Sequence, residues 1–451
     1  MKQTRREFLR TGSQAAVAVG LGACAGDAEQ DSGSSIDLAP VRDPEPEAWS
    51  APGSLDDQAF PMGVQIGDAM PSRVRISLHA TVGRVRFVLM RAEGSAWVED
   101  RSLDNLEVEE GPLQLDVDDL APDTAYSLVF YAEDGQSRTR VARFRTAISS
   151  DCNRTVVFGA TSCLRGNLPW PCLSRAAEEA LDFFVLLGDS VYASASTLAG
   201  YRADWADVLE VEGMVALTTS TSIVATWDDH EVANNWSMEV VGKDRYMAAL
   251  QAFREALPQT EGSGGGIWRS LRWGSTVEVF VLDCRTEREG DAYISVEQMN
   301  WLKQGLLDSP SRFKIICNSV PITDLTAIFG QAQEDDRWQG YPGQREEILS
   351  HIESLDIEGV LWITGDVHYG QIARVSASGE IGDEAYEIFC GPGGSTVNIG
   401  ALYYVGEDEQ YEQLVLDFNY ARFECDPVAG TIRVQHIDNE GYTLTDRVLN
   451  L

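Results

Sequence analysis

The stretch ATWDDHEVANNW (225–236) places Asp228, Asp229, His230, Glu231, Asn234 and Asn235 in one short loop at the end of a predicted strand. Acids this close repel one another, and burying them is costly unless a cation or hydrogen bonds compensate. Alone, such a turn reads most simply as solvated. The same donor types recur, however, where other apolar runs end. Ser162 and Cys163 follow VVFGAT, and Asp189 and Tyr192 lie in LLGDSVY. Asp283, Arg285 and Arg288 lie in VLDCRTER, and Asp366 and His368 in WITGDVHYG. The chain has five histidines, and two of them, His230 and His368, fall in these loops. Recurrence at successive strand ends points to a bound cation, with Asp189 placed to bridge ions because a carboxylate offers two oxygens. Asp366 and His368, two apart on an extended segment, can face one site.

The elements that must position these residues are legible as two grammars. After Thr146, the apolar runs TVVFGA, DFFVLLG, SIVATW, VEVFVLD, FKIICNSV and GVLWITG alternate with amphipathic stretches. RAAEEAL, DRYMAALQAFREAL, SVEQMNWLKQGLL and REEILSHIESL are the amphipathic ones. Strands buried on both faces and separated by helices predict an α/β domain over 149–451, with ligands at the carboxyl ends of its strands. Residues 56–148 alternate at period two and predict a small β-sandwich. Within it, LAPDTAYSLVFYAEDG (120–135) resembles the corner of a fibronectin-III-like domain, where Tyr126 ties a turn to a strand. The C-terminal GTIRVQHIDNEGYTLTDRVLNL reads as a hairpin ending in a strand.

Composition narrows the partners. A formal charge of −36 and a pI near 4.4 argue against a nucleic-acid surface. An anionic substrate would need local positive charge, from metal ions or from Arg285 and Arg288. Each arginine has a competing reading as an ion pair with neighbouring acids. Ser162 lacks an evident base and a G-x-S-x-G elbow, so a serine-based hydrolase is the weakest reading. The first residues give an address. TRREFLR pairs Arg5 with Arg6 before an apolar run too short to span a bilayer, and LGAC resembles a lipobox ending at Cys24. Residues 1–24 are thus expected to be a twin-arginine signal peptide, 25–55 a solvated tether, and Cys24 a lipidated anchor and sole membrane attachment of a periplasmic or cell-envelope monomer. Cys spacing does not give disulfide connectivity here; Cys152 and Cys172 flank one loop and are candidate partners, and Cys284, Cys317 and Cys390 are expected as buried thiols.

ATSC, GDSVY, WDDHEVANN, LDCRTER, DRWQGYPGQR (336–345) and GDVHYG, taken in order, resemble the PhoD-type alkaline phosphatases and phosphodiesterases, from about residue 56 to the end. The resemblance implies a four-layer α/β/β/α metallophosphatase domain behind a small β-domain, and a ferric iron (Fe3+) beside calcium ions (Ca2+). Thiolate and phenolate suit a trivalent iron, which makes Cys163 and Tyr192 candidate ligands. Hard calcium prefers oxygen donors, which suits Asp228, Asp229 and either Asn234 or Asn235. His230 is read either as a proton donor to a leaving group or as a support for a ligand carboxylate. Two departures stand out: Ala193 replaces a glutamate that many relatives carry after the GDxxY tyrosine, and no C-terminal helix is predicted to cover the site.

The expected reaction is hydrolysis of small phosphate monoesters or diesters by a metal-activated hydroxide. The rivals are a phospholipase D-like phosphodiesterase acting on larger substrates and a catalytically inactive, calcium-stabilised binding lipoprotein. Replacing Arg5 and Arg6 with lysine should trap precursor in the cytoplasm, and Cys24→Ala should free the exported protein from the membrane fraction. Fractionation showing normal export of the first variant, or continued anchoring of the second, would reject these assignments.

Overall fold

The computed structural model describes residues 41–165, 169–325, 336–403 and 410–451. The expected signal peptide, Cys24 and the tether up to residue 40 lie outside the described residues. The tether's expected end, 41–55, packs on the body. Trp97 Nε1 donates to Glu47 O at 2.7 Å, and Ser54–Leu55 pairs in parallel with Ser137–Arg138.

The runs rich in Val, Ile and Phe form strands because such side chains fit a pleated surface buried on both faces. Val156–Thr161, Phe183–Leu187 and Ile223–Thr226 pair in parallel, with Phe158 opposite Phe183 and Leu186 opposite Ala225. They are the centre of a sheet that has nine strands among the described residues. A second sheet, of seven, centres on the parallel strands Val277–Val281, Phe313–Cys317, Val360–Thr364 and Tyr386–Phe389.

Alternation along each strand sorts side chains into layers. Phe158, Phe183, Val185 and Leu187 meet Trp273, Val279, Val281 and Ile315 in one core between the two sheets. The rings of Phe183 and Trp273 stack across that core at 3.9 Å. Phe184 and Leu186 face the other way, into the helices Pro171–Glu178, Leu198–Leu209 and Met238–Ala256. On the far face of the second sheet, Phe280 and Ile316 meet Val296–Asp308 and Pro342–Ser354. Ser295 caps the first of these two helices by accepting from Gln298 N at 3.1 Å. The result is the expected α/β/β/α stack. The chain closes with the antiparallel hairpin Thr431–Asp438 and Thr443–Asn450. Among the described residues no helix is long and apolar enough to cross a membrane.

Two expectations need correction. The division at residue 148 does not divide the sheets. Val64–Gly67, Arg73–Leu78 and Leu113–Asp118 form one edge of the nine-stranded sheet, joined to Ile223–Thr226 through Gly67 and Ile223. A Cβ at Gly67 would lie 1.6 Å from Pro258 O, so only glycine permits the join. A third sheet, built on Arg84–Glu93 and Ala125–Ala132, covers that edge through a shared apolar core. The Tyr126 hydroxyl accepts from Ala121 N at 2.8 Å, tying turn to strand as expected. The candidate Cys152–Cys172 disulfide is absent. Cys152 packs against the core between the sheets, whereas Cys172 lies in the helix layer on the opposite face and donates to Gly393 O at 3.1 Å. Cys284, Cys317 and Cys390 are buried thiols, as expected.

A buried ion pair locks the N-terminal strands to the second sheet. Arg269 Nε and Nη2 reach Asp68 Oδ2 and Oδ1, each at 2.8 Å, with both side chains almost fully buried. Removing one partner leaves a buried charge unpaired, which costs about 3–5 kcal/mol. Asp68→Ala should therefore lower the free energy of unfolding by that amount, with the midpoint falling in one cooperative transition. A separate early transition, or no change, would show that the join is not structural.

Candidate metal centre

The ligand-type residues gather because strands of both sheets release their loops at the same end. Gly188, at φ +94°, brings two loops together: a Cβ there would lie 2.5 Å from Asp228 Cβ. Cys163, Asp189, Asp366 and His368 all hold positive φ, between +55° and +68°. Non-glycine residues rarely adopt this conformation, and where they do the strain is typically stored at functional sites.

Two groups of side chains converge, each with one ligand atom per residue and all atoms within 4.8 Å of one another. Cys163, Asp189 and His368 form the first; Asp189, Asp229 and His230 form the second. Asp189 belongs to both. Tyr192 borders the first group, with its hydroxyl 3.1 Å from both Asp189 Oδ2 and His368 Nε2. Its ring lies 4.0 Å from that of His230. His368 Nδ1 lies 2.8 Å from Thr396 O. A carbonyl only accepts, so this contact places the proton on Nδ1 and leaves the Nε2 lone pair facing the group.

Electrostatics describe a site short of positive charge. Burial, followed by repulsion from Asp228, pushes Asp366 up to about 8. Burial also raises Asp228 to about 6, against the pull of Arg285. Asp189 is raised by burial and then by Asp229, and the Cys163 thiol by burial and then by Asp189. Burial lowers His230 and His368, holding both rings neutral. Asp228 Oδ2 is buried with no hydrogen-bond partner. A buried oxygen without a partner, amid S, N and O donors, fits a cation.

The structure redistributes several expected roles. Arg285 and Arg288, expected to fork a phosphate, hold acids instead. Arg285 Nε donates to Asp228 at 2.6 Å and its Nη1 pairs with Asp336. Arg288 pairs with Asp336 at 3.1 Å and donates to Trp236 O at 2.9 Å. The cause is Asp336, whose carboxyl these arginines hold below its usual range even though burial opposes it. Asn234 and Asn235 are both exposed. Backbone bonds from Val232 and Ala233 to Asp229 O wind the chain into a turn, and Asn235 N donates to Asp229 Oδ2 at 2.5 Å. His230, expected as a proton donor or support, stands within the second donor group.

Sequence reading missed Glu231 and Asp336 as organisers. Glu231 accepts from the backbone N–H groups of Asp189, Ser190 and Asp228 at 3.1, 2.7 and 2.9 Å, clamping two ligand loops together. Its position inside DDHE was the available signal. Asp336 opens the DRWQGYPGQR motif, but its pairing was not legible there because its partners lie 48 and 51 residues away.

Facing sheets flanked by helices, with metal-type donors at the strand ends, define a metallophosphatase-class protein. A family model for PhoD-like phosphatases matches residues 158–424, and the chain belongs to that family. Alkaline phosphatase D of Bacillus subtilis (strain 168) is 25% identical over 314 residues, covering 57% of this chain and 53% of that protein. The match thus spans about half the length of that relative. A solved structure of PhoD superposes with a TM-score of 0.72 at 20% identity, covering 86% of this chain and 93% of that one. Purple acid phosphatase PPD1 from yellow lupin (Lupinus luteus) seeds gives 0.62 at 11% identity, covering 86% and 73%. At these identities the structural likeness is one of fold.

The raised carboxylates have a consequence for stability. Asp228, Glu231 and Asp366 rise to about 6, 7 and 8, largely through burial. Groups with folded values above their unfolded ones bind more protons when folded, so their contribution is present at low pH and lost as pH rises. The melting temperature of metal-free protein should fall between about pH 4, the unfolded carboxylate value, and pH 8. A bound cation should flatten the decline. A flat or rising metal-free profile would refute this electrostatic account.

Proposed function

We propose that this protein is a metal-dependent hydrolase of small phosphoric esters, with its centre on Asp189. The observation that carries the reading is that Asp189 is shared by two donor groups, the arrangement a carboxylate needs to bridge two ions. Membership of the PhoD-like family supports the reaction class. The sulfur and nitrogen of Cys163 and His368, with Tyr192 beside them, suit an iron; the oxygens of Asp228, Asp229 and Asp366 suit calcium. Ions held there would supply Lewis acidity, lowering the pKa of water and neutralising phosphoryl charge.

The chain's own residues do the rest. Asp189 fixes the spacing of the two donor groups, and Glu231 fixes Asp189 relative to Asp228 through three backbone amides. His230, held neutral mainly by burial, offers a lone pair and not a proton at neutral pH. Arg285 keeps Asp228 ionised and oriented. A cleft of about 420 Å³, lined by Arg337, Asp366, His368, Asn398 and Ile399 among others, opens beside the centre and admits an ester. A second reading, cleavage of a diester carrying an apolar group, is favoured by Ile399, which lines this cleft and is 70% exposed. Twin-arginine export and a lipid anchor at Cys24 complete the proposal, supported by Arg5, Arg6 and the LGAC sequence.

Chelation should abolish turnover of p-nitrophenyl phosphate. Cys163→Ala and Tyr192→Phe should lose the visible absorption expected of ferric thiolate and phenolate, and Asp189→Asn should lose most activity. A fully active Cys163→Ala protein with unchanged metal content would overturn the proposed iron side of the site.

A further inference from the structure

A protein of charge −36 that acts on a phosphate needs a cation able to meet it. Arg285 and Arg288 are both engaged with Asp336, and Arg285 also with Asp228. Arg165 is different. It follows Cys163 by two residues, on the loop leaving Val156–Thr161, and it is exposed. Its guanidinium carbon lies 5.2 Å from the centroid of the Tyr192 ring. That ring in turn carries the hydroxyl 3.1 Å from Asp189 and His368. Arg165 forms no ion pair with a described residue. Together with Tyr192 and Trp170 it lines a cleft of about 760 Å³.

We infer that Arg165 is the substrate-charge-reading residue, donating to the non-bridging oxygens of a phosphate ester at the mouth of the Asp189 centre. The inference rests on the hydrolase reading and deepens it. Stacking on the Tyr192 face holds the guanidinium plane, and exposure leaves its fork of N–H groups for an anion arriving from solvent. The tyrosine places it beside the donor groups, with no ion pair to a described acid. A buried, ion-paired arginine such as Arg285 would have to abandon Asp228 to take this role, which exposed Arg165 does not.

The test uses metal-loaded full-length protein and its Arg165→Ala and Arg165→Lys variants. KM and kcat are measured on p-nitrophenyl phosphate and bis-p-nitrophenyl phosphate, with inorganic phosphate as competitive inhibitor. Arg165→Ala should raise KM for the monoester and the inhibition constant of phosphate by about ten- to hundred-fold, the loss expected for a charge-assisted contact. The diester should suffer less, having one fewer negative oxygen. Lysine should restore part of the loss, keeping charge without the fork. Metal content and visible absorption should match wild type, since Arg165 is no ligand. Unchanged KM and phosphate inhibition in Arg165→Ala, or a loss seen only together with metal loss, would overturn the assignment. Wild-type protein that neither hydrolyses these esters nor binds phosphate would overturn the hydrolase reading itself.

Discussion

The constraint on which this structure depends is the burial of like charge. Asp189, Asp228, Asp229 and Glu231 are buried within one set of loops beside half-buried Asp366, and each of Asp189, Asp228 and Asp366 is disfavoured as an anion by desolvation and by its neighbours. Water would solvate such a group far better than a protein interior. The fold therefore holds these acids together against their own repulsion, and it does so with identifiable devices. Glu231 is fastened by three backbone amides, and Asp228 and Asp336 are bridged by Arg285. The loops approach closely because Gly188 has no side chain.

The scaffold makes that concentration possible. Two sheets packed through Phe158, Phe183 and Trp273 give a rigid floor, and their strands deliver ligand loops to one end. Each loop contributes few residues, yet loops from both sheets meet: Asp189 and Asp229 follow strands of the first, Asp366 and His368 a strand of the second. Positive φ at four of the candidate ligands shows that local backbone comfort has yielded to side-chain placement. The N-terminal strands contribute through the same sheet, since Val64–Gly67 extends it and Asp68 grips Arg269. They buttress the floor and supply none of the donor groups.

Positive charge is distributed by function within a strongly acidic molecule. Buried arginines hold acids in place; an exposed one, Arg165, lies over the aromatic ring that borders the centre. This division explains why the pair VLDCRTER was misleading. A guanidinium matches a carboxylate as well as a phosphate, and the deciding partner, Asp336, arrives from a distant loop.

The sequence by itself determined the layers and most of the donor set. Strand-length apolar runs and amphipathic stretches have periods that fold into only a few architectures, and Cys163, Asp189, His230 and His368 were marked by recurrence at strand ends. It also marked Tyr126, because a tyrosine corner is a local device closed within five residues. Only the tertiary structure decided what depends on distance in space. It set Arg285 against Asp336, turned Asn234 and Asn235 outward, kept Cys152 and Cys172 on opposite faces, and merged the N-terminal strands into the nine-stranded sheet. Each of these outcomes turns on a pairing between segments remote in the chain. Periodicity reports which face a residue takes, while register and loop path decide which partner waits there.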